Sequence, residues 1–419
     1  MTRAMKDSGI PWVGKVPQHW EVKKIKYCLR RSAEKNPGNQ TILSLYREYG
    51  VVPKDSRDDN HNVTSEDTSN YRFVREGDFV INKMKAWQGS LAVSDFTGVV
   101  SPAYYVYRFS AGEIFKKYFH YLMRIKGYAS EFRRLSGGVR EGQWDLPAYE
   151  FEKMLFPLPP LAEQRRIAEY LDEVTGIIDG LREKIAREIE RLADWRKSVI
   201  TEAVCHGIDK NAKMKDSGIP WVGKVPADWG VDKIKYWFAA KNTRGNSTLQ
   251  LLSATQKYGM YPQSKLEGVV QVAEKTDLNT FKTVHIDDFV ISLRSFQGGI
   301  ERSDYEGVCS PAYQIFHATR PINTTYFKHL FKAQGFIAAL NLLTVGIREG
   351  KTINYSDVRN MLIPIPSLAE QRRIAEYLDE VTAKVDAMIA KRKAELERLE
   401  SLKRSIVCEC VTGEKVVNR

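Results

Sequence analysis

Apolar residues recur in alternating steps of four and three along residues 161–205 and 368–410, the pattern of a helix that pairs with another helix. The step from Ile185 to Ile189 is again four, which we interpret as a local break in the register. Neither stretch contains proline, and about 45 residues at a rise of ~1.5 Å predict a helix roughly 65 Å long. The predicted seam residues are Ile167, Leu171, Val174, Ile178 and Leu181 in the first stretch and Ile374, Leu378, Val381, Val385 and Met388 in the second.

An apolar stripe of this length needs a partner, so we predict that the two helices pair as an antiparallel coiled coil with pseudo-two-fold symmetry. The alternative is that each helix packs separately on its own domain. The region before each helix is mixed: strand-like runs such as Phe79–Ile81 alternate with Gly, Pro and Asn, and helical stretches lie near 115–134 and 327–343. The pattern therefore predicts an α+β protein with two mixed α/β domains and two long helices.

The chain is a duplication of one unit. MKDSGIPWVGKVP begins at Met5 and Met214, SPAY at Ser101 and Ser310, and LAEQRRIAEYLDEVT at Leu161 and Leu368. We therefore predict two homologous domains at residues 1–160 and 214–367, long helices at 161–205 and 368–410, a linker at 206–213 and a tail at 411–419.

The excess of positive charge lies in the predicted domains. The net charge of the chain is +12, but residues 161–205 carry −2 and residues 368–410 carry zero, whereas residues 1–160 carry +7 and residues 206–367 carry +6. This distribution favours a polyanionic partner, of which nucleic acid is the commonest, on the domains rather than on the helices. The alternative is a basic protein without such a partner.

The sequence offers little for catalysis or membrane association. The five cysteines include no Cys-x-x-Cys pair, so we expect reduced thiols, no metal site and a cytoplasmic protein. We find no signal segment and no apolar run approaching the roughly 20 residues that a bilayer requires, so we expect no membrane partner. The segment Gly346–Thr352 approximates a phosphate-binding loop but is one residue short between its glycines, and we expect no cofactor in this chain.

Three repeated motifs resemble the specificity subunit (S, or HsdS) of type I restriction-modification systems over nearly the whole chain. They are Pro-Trp-x-Gly-x-x-Pro at Pro11 and Pro220, Gly-Val-x-Ser-Pro-x-Tyr at Gly98 and Gly307, and a proline-rich entry into Leu-Ala-Glu-Gln-Arg-Arg-Ile-Ala at Leu161 and Leu368. The resemblance implies two target-recognition domains that each read one half of a split, asymmetric site on double-stranded DNA.

The resemblance also implies helices that set the gap between the half-sites and dock two methyltransferase (M) subunits, with endonuclease/motor (R) subunits joining them. S-adenosylmethionine and ATP would then belong to those partner subunits, and this chain would be non-catalytic. The alternatives are a coiled-coil scaffold without a DNA role, a self-contained DNA methyltransferase or endonuclease, and a paired transcriptional regulator.

Two comparisons between the copies yield candidate DNA-binding residues. Stretches that differ between the copies are expected to read bases, and stretches that match are expected to contact phosphates. For each candidate the alternative is a drifting loop or a core residue. The candidates are Arg47, Lys54, Arg57, Gln256, Lys257 and Lys265 in the differing stretches, Lys83, Lys85, Gln88, Arg294 and Gln297 in the matching ones, and Arg140, Arg348 and Lys351 in glycine-flanked loops.

Overall fold

The computed structural model describes residues 3–47, 49–56, 65, 67–110, 112–137, 144–244, 248–255, 258–266, 278–293, 298–344 and 353–417. The chain divides into two compact units. The first contains Met1–Ile185 together with Ala394–Arg419, and the second contains Ala186–Lys393. Within the described ranges, no helix has the length and apolar character required to cross a membrane.

Short strands and helices build each unit. In the first unit they are β1 (Met5–Asp7), β2 (Lys15–Pro17), β3 (Glu21–Lys24), β4 (Leu29–Arg31), β5 (Leu43–Tyr46), β6 (Gly50–Pro53), β7 (Arg72–Val74), β8 (Phe79–Asn82), β9 (Leu91–Val93), β10 (Gly98–Val100), β11 (Tyr104–Phe109), α1 (Lys116–Met123), α2 (Lys126–Leu135), α3 (Ala148–Lys153) and β12 (Leu155–Leu158). The long helix α4 (Leu161–His206) follows, and its first part belongs to this unit.

The second unit repeats this order. Its elements are β13 (Met214–Ile219), β14 (Gly223–Pro226), β15 (Gly230–Lys233), β16 (Phe238–Lys241), β17 (Leu252–Thr255), β18 (Gly259–Pro262), β19 (Lys282–Val284), β20 (Phe289–Ser292), β21 (Glu301–Arg302), β22 (Gly307–Cys309), β23 (Tyr313–Ala318), α5 (Thr324–Leu330), α6 (Gln334–Leu342), α7 (Tyr355–Val358) and β24 (Leu362–Ile365), followed by the long helix α8 (Leu368–Thr412). The duplication seen in the sequence is thus a duplication of structure.

An antiparallel four-stranded sheet organises each unit, in the order β4-β11-β8-β9 in the first and β16-β23-β20-β21 in the second. Side chains alternate across a strand, so Phe79 and Ile81 of β8 enter the main core of the first unit while Val80 enters a smaller core on the other face of the sheet. That smaller core is closed by the β5-β6 hairpin through Leu43, Leu45 and Val51. Both faces of the sheet are therefore covered.

The helical stretch predicted near residues 115–134 is two helices, α1 and α2, that are separated at Arg124 and Ile125. Both helices place aromatic side chains in the main core, where Tyr118, Phe119 and Phe132 have no exposed surface. The aromatic rings meet largely edge to face; those of Phe79 and Phe119, for example, lie 5.1 Å apart.

A long helix closes the core of each unit with its last turns. In the first unit, Cys410 and Val411 at the end of α8 are buried, and the hydroxyl of Tyr118 lies 3.0 Å from the carbonyl oxygen of Val411. In the second unit, the hydroxyl of Tyr326 lies 3.0 Å from the carbonyl oxygen of Val204 near the end of α4. Each unit therefore has the same closing contact, made by a different helix.

The long helices run antiparallel to each other within both units. In the first unit, Lys403 of α8 contacts Asp179 of α4 at 2.7 Å, and Glu400 contacts Arg182 at 3.1 Å, so residue numbers rise on one helix as they fall on the other. In the second unit the same arrangement pairs Glu188 with Arg392 and Arg196 with Asp386, both at 2.9 Å. The antiparallel pairing predicted from the heptads is present in both units.

The seam between the helices differs in part from the predicted one. Leu181 and Met388 are each 43% exposed, whereas Thr175 and Thr382 are buried at 7% and 6%. Of the other predicted seam residues, Val174 and Val381 are half-buried, and Ile167, Leu171, Ile178, Ile374, Leu378 and Val385 are buried.

On α4, positions 171, 175, 178 and 185 are buried, and positions 172, 174, 179, 182 and 189 are half-buried. The register break after Ile185 stays a prediction. A purely apolar pattern selected Val174 and Leu181 because their seam neighbours, Thr175 and Arg182, are polar. Those polar residues are accommodated by partners: Thr175 Oγ1 lies 3.3 Å from the hydroxyl of Tyr121, and Arg182 pairs with Glu400 of α8.

Candidate nucleic-acid interface

Six of the predicted DNA-binding residues lie in the described part of the chain, and five of these belong to the first unit: Arg47, Lys54, Lys83, Lys85 and Gln88. The sixth, Lys265, belongs to the second unit. The remaining candidates fall outside the described residues; they are Arg57, Arg140, Gln256, Lys257, Arg294, Gln297, Arg348 and Lys351.

Arg47 follows β5 at the turn of the β5-β6 hairpin, and Lys54 follows β6 at the open end of the hairpin. Arg47 is exposed at the turn, and its carbonyl oxygen accepts a hydrogen bond from the guanidinium of Arg124. A second nitrogen of Arg124 donates to the carbonyl oxygen of Leu91 at 2.9 Å, which ties the hairpin turn to the start of β9. Lys54 is half-buried, and its backbone amide donates to the carbonyl oxygen of Ile42 at 2.8 Å. The hairpin is thus fixed to the sheet, and Arg47 projects from its tip.

Lys83, Lys85 and Gln88 lie in the turn that joins β8 to β9. Lys85 is exposed and Gln88 is half-buried, whereas the ammonium of Lys83 pairs with the carboxylate of Asp145 at 2.7 Å. The buried carboxylate of Asp78 fixes the strand that precedes this turn, because its Oδ2 accepts a hydrogen bond from the amide of Arg75 at 2.9 Å. Burial raises the pKa of Asp78.

Trp87 of the same turn packs against Trp144, with ring centroids 5.9 Å apart. The guanidinium carbon of Arg133, near the end of α2, lies 5.7 Å from each of these two rings. The indole nitrogen of Trp87 donates to the carbonyl oxygen of Met84 at 3.1 Å. The comparison of the two copies selected Lys83, Lys85 and Gln88 of this turn and missed Arg133 and Trp144. Arg133 corresponds to Asn341 in the other copy, so a search for matching basic residues does not select it.

Gly137 and Asp145, which flank residues 138–143, are hydrogen-bonded to each other. Asp145 donates its amide to the carbonyl oxygen of Gly137 at 3.0 Å and accepts the reciprocal hydrogen bond at 3.3 Å. The amide of Leu146 also donates to the carbonyl oxygen of Lys83 at 2.9 Å. The structure therefore brings Lys83, Trp87, Arg133 and Trp144 to one edge of the first unit, where the segment begins and ends. We call these four residues the basic-aromatic edge.

The second unit keeps the backbone frame but changes the side chains. The amide of Ile353 donates to the carbonyl oxygen of Leu293 at 3.1 Å, as Leu146 does to Lys83, so Leu293 stands where Lys83 stands. On α6, Asn341 occupies the position that Arg133 occupies on α2. Lys265, the described candidate of this unit, is exposed. The two units thus present different chemistry on one scaffold.

A family model described as the type I restriction modification DNA specificity domain matches the sequence twice, at residues 17–191 and 226–398. Among curated relatives, the putative type I restriction enzyme MjaX specificity subunit of Methanocaldococcus jannaschii is 22% identical over 429 residues, which cover 96% of this chain and 95% of that protein. The MjaVIII specificity subunit of the same organism is 24% identical, with coverages of 96% and 94%. The EcoBI specificity subunit of Escherichia coli is 22% identical over a match that covers 71% of this chain and 65% of that protein.

Two solved structures share the fold. One, described as “Structural basis underlying complex assembly and conformational transition of the type I R-M system”, superposes with a TM-score of 0.69 at 15% identity and covers 96% of this chain and 99% of its own. The other, the HsdS subunit from Thermoanaerobacter tengcongensis, has a TM-score of 0.52 at 15% identity, with coverages of 96% and 98%. At these identities the likeness establishes the fold.

Proposed function

We propose a function from the premise that this chain belongs to the type I restriction modification DNA specificity family, whose model matches both of its halves. The protein is the DNA specificity subunit of a type I restriction-modification enzyme. The observation that carries this conclusion is the double match, which falls on two structurally equivalent units. Each unit contains the same four-stranded sheet and the same order of helices.

Each unit is assigned one half of a bipartite, asymmetric target. Support comes from the way in which the units differ. Their sheets have the same strand order, but stretches 28–70 and 237–277 differ in sequence, and the basic-aromatic edge of the first unit has no equivalent side chains at Leu293 and Asn341 of the second. Two domains on one scaffold that present different side chains are suited to reading two different short sequences.

The long helices are assigned to partner subunits and to the gap between the half-sites. They carry little net charge, and several large apolar side chains on them remain exposed: Ile177, Leu181, Trp195, Met388 and Leu402. Apolar side chains left exposed on paired helices favour a protein partner. We assign two methyltransferase subunits and the endonuclease/motor subunits to the complex, with S-adenosylmethionine and ATP bound by those subunits and no catalytic role for this chain. The unpaired thiols of all five cysteines fit a reducing cytoplasm.

The experiment that tests this function compares methylated bases in the genome of the host with and without this gene. A split, asymmetric methylated motif is expected to disappear when the gene is deleted. Replacing residues 28–70 with the matching stretch of another family member is then expected to change one half of the motif, and replacing residues 237–277 is expected to change the other half.

A change in both halves after either exchange would contradict the assignment of one half-site to each unit. A scaffold without a DNA role remains the alternative. It predicts that the motif survives deletion of the gene and that the protein shows no salt-dependent DNA binding.

A further inference from the structure

Arg133 is a cation fixed in place by two indole rings. The neighbouring Phe132 is fully buried in the core of the first unit, which anchors this turn of α2 and leaves Arg133 exposed on the next position. Its guanidinium carbon lies within contact distance of both Trp87 and Trp144, at 5.7 Å from each ring centroid. A guanidinium that stacks on aromatic faces keeps the N–H groups at its edge available to an acceptor.

The charge of Arg133 is not neutralised by any carboxylate in the part of the chain that the structure describes. The adjacent residue, Arg134, has the same side chain and is also exposed. Its Nε and a terminal nitrogen, however, bind the carboxylate of Glu131 at 2.8 and 2.6 Å. Two neighbouring arginines on one helix therefore differ in one respect: Arg134 is paired internally, and Arg133 is held by aromatic rings.

A second exposed cation lies near Arg133, since Lys85 belongs to the same β8-β9 turn as Trp87. Lys83 of that turn is paired with Asp145 and adds no net charge. At the position that Arg133 occupies on α2, the second unit has Asn341 on α6.

We propose that Arg133 binds a phosphate of the DNA backbone in the half-site assigned to the first unit, with Trp87 and Trp144 as positioning residues that orient its guanidinium. This inference rests on the proposed function. An arginine held beside two indole rings presents a planar fork of donors that matches two phosphate oxygens. A phosphate contact carries no sequence information, so this residue strengthens binding to any duplex.

The test measures DNA binding by the full-length protein in complex with its methyltransferase partner over a series of salt concentrations. The variants are Arg133→Gln and, as the matched control, Arg134→Gln. Loss of one phosphate contact is expected to reduce the slope of log K against log salt by about 0.9 and to weaken binding roughly 5- to 10-fold at 0.1 M salt. The loss should be equal for the methylated target sequence and for an unrelated duplex. Arg134→Gln should leave both quantities unchanged.

Arg133→Lys separates charge from shape. It retains the cation and should keep the wild-type salt slope, while its affinity falls because an ammonium lacks the stacked fork. Equal binding by Arg133→Gln and Arg134→Gln would overturn the inference and leave the proposed function intact. A loss confined to the target duplex would overturn the phosphate assignment in favour of a base contact. Wild-type protein that shows no salt-dependent binding would refute the proposed function itself.

Discussion

His120 on α1 is a histidine that the fold keeps neutral. Its Nδ1 accepts a hydrogen bond from the backbone amide of Val93 at 3.3 Å, and a proton on that nitrogen would remove the acceptor. Burial, followed by the nearby charges of Arg124 and Lys117, lowers the pKa of His120 from 6.5 to about 3. In the unfolded chain the same side chain takes up a proton near its ordinary pKa, so the unfolded state binds more protons at mildly acidic pH.

We therefore expect the stabilising effect of His120 to be complete above pH 6.5 and to decline as the pH falls towards 3, by at most about 1.4 kcal/mol per pH unit. Because the residue is only half-buried, the expected loss between pH 7.5 and 5.0 is about 1 to 2 kcal/mol. The measurement is the free energy of unfolding of the wild type and of His120→Gln at both values. The glutamine variant retains an acceptor without titrating, so an identical pH dependence in the two proteins would contradict this role.

At the residue scale, the sequence located the lysines of the β8-β9 turn, but it located neither Arg133 and Trp144 nor the ion pair of Lys83. The run Asp78–Ile81 predicts a strand, and the polar residues that follow predict an exposed turn, where Lys83, Lys85 and Trp87 do lie. The ion pair between Lys83 and Asp145 joins residues that are 62 positions apart. Such a contact depends on how β8 meets the segment before α3, which a local pattern does not encode.

At the element scale, the seam of the long helices offers a direct test of register. Ile178 is 5% exposed and Leu181, one turn further along α4, is 43% exposed. Ile178→Ala is expected to destabilise the protein by about 2 to 4 kcal/mol because it removes buried methyl groups and leaves a cavity. Leu181→Ala, the matched control, should change stability by less than about 1 kcal/mol. Chemical denaturation measures both, and a larger cost for Leu181→Ala would restore the register predicted from apolar residues alone.

The existence and extent of these helices follow from the heptad pattern, and their antiparallel direction follows from the two-fold relation between the copies, whereas the exact seam follows from neither. An apolar residue one position from the true seam fits a repeat of 3.5 almost as well as the seam residue itself, so Val174 and Leu181 replaced Thr175 and Arg182 in the prediction. The side chain of Thr382 shows how a polar residue is accommodated there, since its hydroxyl donates to the carbonyl oxygen of Leu378 at 2.6 Å within its own helix.

At the scale of the whole molecule, the duplication predicts two equal cores but not which helix end completes each core. The end of α8 closes the first unit through Val411, which lies 293 positions from its partner Tyr118. The glycine that follows each closing turn has a positive φ, +81° at Gly413 and +79° at Gly207, and approaches a tryptophan of the core closely. The two closing sequences share little beyond Val, Cys and this glycine, which is too weak a signal to assign them.

Val411 and Val204 are equivalent and both are fully buried, so they provide reciprocal variants. A buried, unpaired carboxylate lowers the free energy of unfolding by several kcal/mol. Val411→Asp should therefore destabilise the core of the first unit, although residue 411 is far in sequence from most of that core. Hydrogen exchange is expected to rise in residues 118–135 of that variant and to stay at the wild-type level in residues 326–342. Val204→Asp should produce the reverse. This reciprocity depends on α8 closing the first core and α4 the second, so faster exchange in residues 326–342 of the Val411→Asp protein would show that the closing contacts are assigned to the wrong units.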